Sequence, residues 1–388
     1  MKIVDVSGFY SDRGGGVRSY VLQKLDHAAR LGHAVTVIAP GIEDRVETKG
    51  QGKIIWVASP VMPFDDNYRV FRKAQTATVW RALDQEQPDV VEGSSPWRGG
   101  WIAAGWPGSA VKSFVYHQDF VAGYPYTYLG GVLSQPAIDH LFSPFWSYIA
   151  TLSRAYDVTV TGGDWLAQRL TRFGVHNAVA APFGIEADRF DPAKRDPALR
   201  RSLLAACGLG ESGALLLAVG RFHPEKRHAT LLQAFSLARA QRPDLGLVLV
   251  GDGMLRQALE RQAAKVGAVH LAGAVADRDQ MARLYASCDA LIHGSGAETY
   301  GLVVAEALSS GLAVVAPDTG GAADLAAQGP SALYATGDAV DCARAILELL
   351  GRATAERAPV TVGSADDHFK SLFSLYEGLI AARTRGLA

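Results

Sequence analysis

DALIHGSGAETYGLVVAEALSSG, residues 289–311, decides the fold. The apolar run Ala290, Leu291 and Ile292 reads as a buried strand, a glycine-rich loop follows it, and a helix begins near Gly301. Strand, glycine loop and helix form the unit from which open α/β sheets build ligand crevices. Glu298 falls on the loop and Glu306 inside the helix. Helix N-termini present unpaired N–H groups that favour phosphate, which suits the backbone of Gly301, Leu302 and Val303 to a diphosphate. The two carboxylates then accept hydroxyl hydrogen bonds on either side of it. Two glutamates eight apart also mark solvated helix faces, and the buried strand before this pair is what sets it apart.

Working outward, LLAACG, LLLAVG, GLVLVGD, AVHLAGA, DALIHGS and AVVAPD read as strands alternating with helical stretches, a doubly wound sheet over the second half of the chain. The first half opens with KIVDVSGF, the glycine turn and amphipathic helix of SDRGGGVRSYVLQKLDHAARLGH, and AVTVIAP, a βαβ unit. Further strands are expected at KIIWVAS, DVVEGS, VKSFVYH, DVTVTGG and AVAAPFGI, with helices at Tyr68–Glu86, around Ser147–Tyr156 and at GDWLAQRLTRFG. Pro182 to Pro197, with mixed charge and three prolines, is the linker candidate. A chain of 388 residues fits two domains of about 190 residues each. Gly14, Gly15 and Gly16 permit close backbone approach to a ligand, but they do not spell GxGxxG, so a nicotinamide cofactor is not expected.

At a net charge of −1 and a pI near 6.8, non-specific nucleic-acid binding is not expected. Cys207, Cys288 and Cys342 are odd in number and show no metal-binding spacing, which points to a reduced, cytoplasmic setting. The opening MKIVDVSGFY reads as a strand and not as a signal peptide. No run approaches the ~18–20 apolar residues of a membrane span, so contact with the inner face of the membrane would be peripheral.

Four stretches together resemble a retaining glycosyltransferase of group 1, family 4, with the GT-B fold. They are AVGRFHPEKR (218–227), LVLVGDGMLRQAL (247–259), LAGAVADRDQMARLYASCDALIHGS (271–295) and the Glu298-x7-Glu306 pair running into EALSSGLAVVAPDTGG (306–321). The resemblance implies two doubly wound Rossmann-like domains facing a central cleft. The implied divisions are an acceptor domain at 1–184, a nucleotide-sugar domain at 185–367, and a C-terminal helix at 368–388 packing back on the first. It implies transfer of a sugar from a UDP- or GDP-linked donor to a sugar, glycan or lipid-linked hydroxyl in envelope polysaccharide or glycolipid synthesis. Glu298 is then the residue that orients the sugar, Glu306 holds the ribose, and Arg221 and Lys226 stabilise the departing diphosphate. Gly15, Gly16, Tyr300, Gly301, Leu302 and Val303 complete the donor contacts, with backbone groups from Gly273 to Val275 meeting the base. His117, ending the strand VKSFVYH, is implied to contact the transferred sugar. One departure is visible, since His293-Gly294-Ser295 stands where a Pro-Ser pair is usual in the family.

On the acceptor side, Trp97, Trp101 and Trp106 cluster in SPWRGGWIAAGWPG, and HQDFVAGYPYTYLGG (117–131) is rich in Tyr and Gly. Trp97, Tyr124 and Asp119 are the acceptor candidates, with Asp119 able to assist deprotonation. Core packing accounts for most of the tryptophans. Asp277-Arg278-Asp279 has a DxD spacing but precedes a helix and reads as a cap, so no metal is expected. Two other functions fit the same residues: a GT-B nucleotide-sugar epimerase or hydrolase, and a non-catalytic nucleotide-sugar-binding partner of a biosynthetic complex.

Overall fold

A computed structural model describes residues 1–11, 16–63, 65–186, 188–352 and 359–386. The chain divides into two compact units. Met1–His117, Asp139–Pro182 and Ala365–Ala388 form the first, and Gln118–Ile138 with Phe183–Ser364 form the second. This departs from divisions at 184/185 and 367/368. The chain leaves the first unit two residues earlier, and residues 118–138 group with the second unit although they lie between strands of the first.

The first unit is built on an eight-stranded sheet. Its strands are β1 (Lys2–Val6), β2 (Ala34–Gly41), β3 (Arg45–Lys49) and β4 (Gly52–Ala58). A separate hairpin, β5 (Val61–Met62) with β6 (Asp65–Arg69), precedes β7 (Val90–Gly93), β8 (Val111–Tyr116), β9 (Val158–Thr161) and β10 (Ala178–Ala180). The order is β10-β9-β8-β7-β1-β2-β4-β3. All pairings are parallel except the edge hairpin of β3 and β4. Val4 lies opposite Thr36 on one side and Val91 on the other. Central strands covered on both faces need continuous apolar runs, and Val90, Val91, Val37 and Ile38 are fully buried. The helix Ala365–Thr384 contributes Phe369, Leu372, Phe373 and Tyr376 to the same core as Ile3, Val37 and Val158.

Parallel strands β11 (Ala214–Val219), β12 (Leu245–Val250), β13 (Val269–Gly273), β14 (Ala290–Ile292), β15 (Ala313–Pro317) and β16 (Ser331–Tyr334) make the second sheet. The order is β13-β12-β11-β14-β15-β16. Counted within the unit this is 3-2-1-4-5-6, and the direction of winding reverses between β11 and β14. The loops after those two strands flank the switch point, and they carry Arg221 to Lys226 and His293 to Gly301.

Two expectations are corrected. Residues 203–208 are not a strand. Asp196 caps, and Pro197 opens, a helix Pro197–Ala206 that carries the buried Leu203 and Leu204, and so short an apolar run cannot reveal its period. The helix expected from Tyr68 begins at Thr76, because residues 65–69 pair as β6. The strand β16 follows a glycine-proline pair and was not anticipated.

Candidate active site

The first loop of the switch point leaves β11 at Gly220, whose N–H donates to the Val250 carbonyl at 3.0 Å. A short 3₁₀ turn, Pro224–Lys226, then aims the Lys226 side chain inward, and Arg227 in the left-handed region (φ 49°) turns the chain into the helix His228–Gln241. Lys226 Nζ donates to Glu298 Oε1 and lies 3.2 Å from Glu225 Oε1. These side chains are partly exposed, 17% for Lys226 and 20% for Glu298, as a site open to ligand must be. Burial opposes both charges. For Lys226 the nearby Glu298 and Glu225 outweigh it and hold the ammonium above its ordinary range. For Glu298 the attraction of Lys226, then His293 and Arg221, outweighs burial and holds the carboxyl below its ordinary range. Arg221 is exposed one turn earlier.

The second loop brings Glu298 to this cation by fixed backbone. The Glu298 carbonyl accepts from Gly321 N–H at 2.7 Å. Gly301 sits at φ 101°, where a Cβ would lie 3.0 Å from Ala322 Cα, and it starts the helix Leu302–Ser309. The first-turn amides of Leu302 and Val303 therefore precede any intrahelical acceptor and are available for an anion. Glu306, on the buried side of that helix, accepts from Arg278 Nη1 at 2.8 Å and from Tyr285 Oη at 2.9 Å. Burial is the largest influence there and raises its carboxyl despite both donors. Arg278 also lies 3.5 Å from Glu186.

Other expected donor residues are placed as follows. Tyr300 is 6% exposed and packs edge-on to Phe183, so only its main chain is free to serve a ligand. Gly273 closes β13 at φ 75° and gives its carbonyl to Gly251 N–H at 2.9 Å, while Val275 packs on the core. Gly16 begins the first helix of the first unit, whereas Gly14 and Gly15 lie outside the described residues.

Within the first unit, His117 directly follows β8 and is half-buried, with its ring edge-on to Tyr20 at 4.8 Å. Burial, reinforced by the Lys24 charge, pushes the imidazole down to about 4, so it is neutral at pH 7. Lys24 itself is fully buried, bonded to Asp5 at 2.5 Å and to Glu92. Trp97 is 40% exposed beside Phe145. Trp101 and Trp106 spend their indole N–H groups on Tyr148 and Asp84.

In the segment that joins the second unit, Tyr124 lies near His223, with rings 6.2 Å apart. Asp119 is wholly buried and caps a helix by accepting from Ala122 N–H at 2.9 Å. Asp277 likewise caps the helix Arg278–Ser287, and no group of three metal-binding side chains occurs among the described residues. Arg278, Tyr285 and His293 were not anticipated as partners of the two glutamates.

A doubly wound sheet with an open helix start, a cation and two glutamates around its switch point is the arrangement expected of a nucleotide-sugar glycosyltransferase. The chain matches the family described as glycosyl transferases group 1 over residues 213–352, and that described as glycosyltransferase family 4 over residues 14–189. It is 32% identical over 332 residues to a GDP-mannose-dependent alpha-mannosyltransferase of Mycobacterium tuberculosis, covering 84% of this chain and 81% of that protein. It is 26% identical over 324 residues to a GDP-mannose-dependent alpha-(1-6)-phosphatidylinositol dimannoside mannosyltransferase of the same species, covering 82% and 80%. In fold it is similar to sucrose-phosphate synthase of Thermosynechococcus elongatus, with a TM-score of 0.71, 19% identity, and 98% and 100% of the two chains covered. The chain belongs to the group 1, family 4 glycosyltransferases, and its two Rossmann-like halves are those of the GT-B fold.

Proposed function

We propose that the protein moves mannose from GDP-mannose to a hydroxyl of a glycolipid acceptor, with retention of anomeric configuration and without a metal ion. The observation that carries the reading is the Lys226–Glu298 pair at the switch point of the second sheet. Its cation suits the charge that develops on the departing diphosphate, and its ionised carboxylate suits the hydroxyls of the transferred sugar. Glu306 holds the ribose, Arg221 assists Lys226, and the amides at Gly301 to Val303 receive phosphate oxygens. His117 contacts the transferred sugar as a neutral hydrogen-bonding group. The donor base and sugar are those in the names of the mycobacterial relatives.

A lipid-linked acceptor is supported by the second relative's name and by exposed apolar side chains on 118–138, where Tyr128 is 62% and Val132 88% exposed. No helix among the described residues is long and apolar enough to cross a membrane, so the lipid contact proposed is peripheral. In the proposed retaining step the acceptor oxygen attacks on the face the leaving group vacates, and the departing phosphate takes the acceptor's proton.

The test is transfer from radiolabelled GDP-mannose to mannosylated phosphatidylinositol, with UDP-glucose in parallel and EDTA present. Release of GDP without labelled lipid would instead mark a hydrolase. An inverted product would overturn retention, and activity restored only by manganese would overturn metal independence.

A further inference from the structure

Lys226 is asked to do two things that compete. Its ammonium neutralises Glu298 in the structure, yet the proposed donor brings a diphosphate to the same nitrogen. An ionised carboxylate that loses its partner in a partly buried site is costly, so Glu298 needs a second donor once the diphosphate arrives. The group placed to supply it is His293. Its Nε2 lies 3.6 Å from Glu298 Oε1, the same oxygen that Lys226 holds, and it is buried with no hydrogen-bond partner. The residue is 3% exposed, and its backbone is fixed twice: its N–H donates to Val315 at 2.8 Å and its carbonyl accepts from Tyr334 Oη at 2.8 Å. The next residue must be glycine, since a Cβ at Gly294 would lie 2.5 Å from the Lys226 carbonyl. The imidazole is thus clamped against the two side chains by main chain on both sides.

We propose that His293 is a positioning residue that donates Nε2–H to Glu298 when Lys226 turns to the diphosphate, keeping the carboxylate aimed at the sugar. This inference rests on the role proposed for Glu298. The loop keeps its tight turn through Gly294 while the His293 side chain supplies a donor beside Glu298.

Three substitutions test it in the full chain. His293→Phe fills the space without a donor, His293→Gln returns an N–H₂ near the Nε2 position, and His293→Asn places one near Nδ1 instead. Loss of a hydrogen bond to a charged group predicts that kcat for transfer falls about ten- to a hundredfold in the Phe and Asn variants. The Gln variant recovers most of it. Binding of GDP alone, which engages Lys226 and not the sugar carboxylate, stays within about twofold in all three. A loss of GDP binding equal to the loss of kcat, or equal recovery by Asn and Gln, would show a merely structural role and overturn the proposal. Glu298→Gln inactive beside a fully active His293→Phe overturns this inference alone. Full transfer by Glu298→Gln overturns the role of Glu298 and this inference with it.

Discussion

Replacing Lys24 with Met removes the single cation from a buried group that holds Asp5 and Glu92, all three at most 1% exposed. The site joins two sheet strands to two helices packed in one core, because Asp5 is on β1, Glu92 on β7, Lys24 on the helix Gly16–Arg30, and Tyr376 on the helix Ala365–Thr384 donates to Glu92 at 2.7 Å. Burial alone would lower the lysine, but the two carboxylates outweigh it and raise it above its ordinary range. Breaking a buried ion pair from one side costs about 3–5 kcal/mol, because the remaining charge stays desolvated. Against a total of roughly 5–15 kcal/mol for a typical domain, that removes about a fifth or more of the stability.

The assay follows from composition. All seven tryptophans, Trp56, Trp80, Trp97, Trp101, Trp106, Trp146 and Trp165, lie in the first unit, so urea unfolding followed by tryptophan fluorescence reports that unit alone. The deficit also has a pH sign. Burial already raises the Glu92 carboxyl, and without Lys24 it rises further. A folded value above the unfolded value of about 4.3 gives stability that is present at low pH and lost as pH rises. Lys24→Met should therefore lose more at pH 8 than at pH 5. A change below about 1 kcal/mol, or a deficit that shrinks with rising pH, would refute the reasoning, since surface pairs behave that way.

Three further outcomes are expected. Tyr285→Phe removes the 2.9 Å donor to Glu306, and a hydrogen bond to a charged group is worth about 1.5–3 kcal/mol, so the KM for nucleotide sugar should rise at least tenfold with kcat little changed. Gly301→Ala forces a side chain to φ 101° and to within 3.0 Å of Ala322 Cα, which should cost the second unit about 1–3 kcal/mol, read by circular dichroism because that unit lacks tryptophan. Asp277→Ala should lower stability by about 1 kcal/mol through loss of the cap while leaving transfer equally insensitive to EDTA.

The second sheet was legible because its central strands are apolar throughout, as strands buried on both faces must be. LLLAV, LVLV and ALI announce β11, β12 and β14. Failures came where the pattern is short or the partner distant. LLAA has the same composition whether it ends a helix or makes a strand, and only the Asp196–Pro197 cap, six residues upstream, decides it. The segment 118–138 reads as a loop of the first half because sequence order is all that places it, while its packing is with the second unit. β5 and β6 are too short for an alternation to emerge.

The same distinction separates the two glutamates. As letters in one motif Glu298 and Glu306 are equivalent, and the helix start between them tells only that they lie on opposite sides of it. Their chemistry is set by what other segments deliver. Lys226 and His293, from the ends of β11 and β14, meet Glu298, and there charge wins over burial. A phenol and one guanidinium from the helix Arg278–Ser287 meet Glu306, and there burial wins over charge. Environments that push two carboxyls in opposite directions fit them for different tasks. The first is held towards its ionised form beside a cation, and the second is held in a fixed orientation by two donors of the protein. A motif fixes which residues are present, and the strand order 3-2-1-4-5-6 fixes which of them meet.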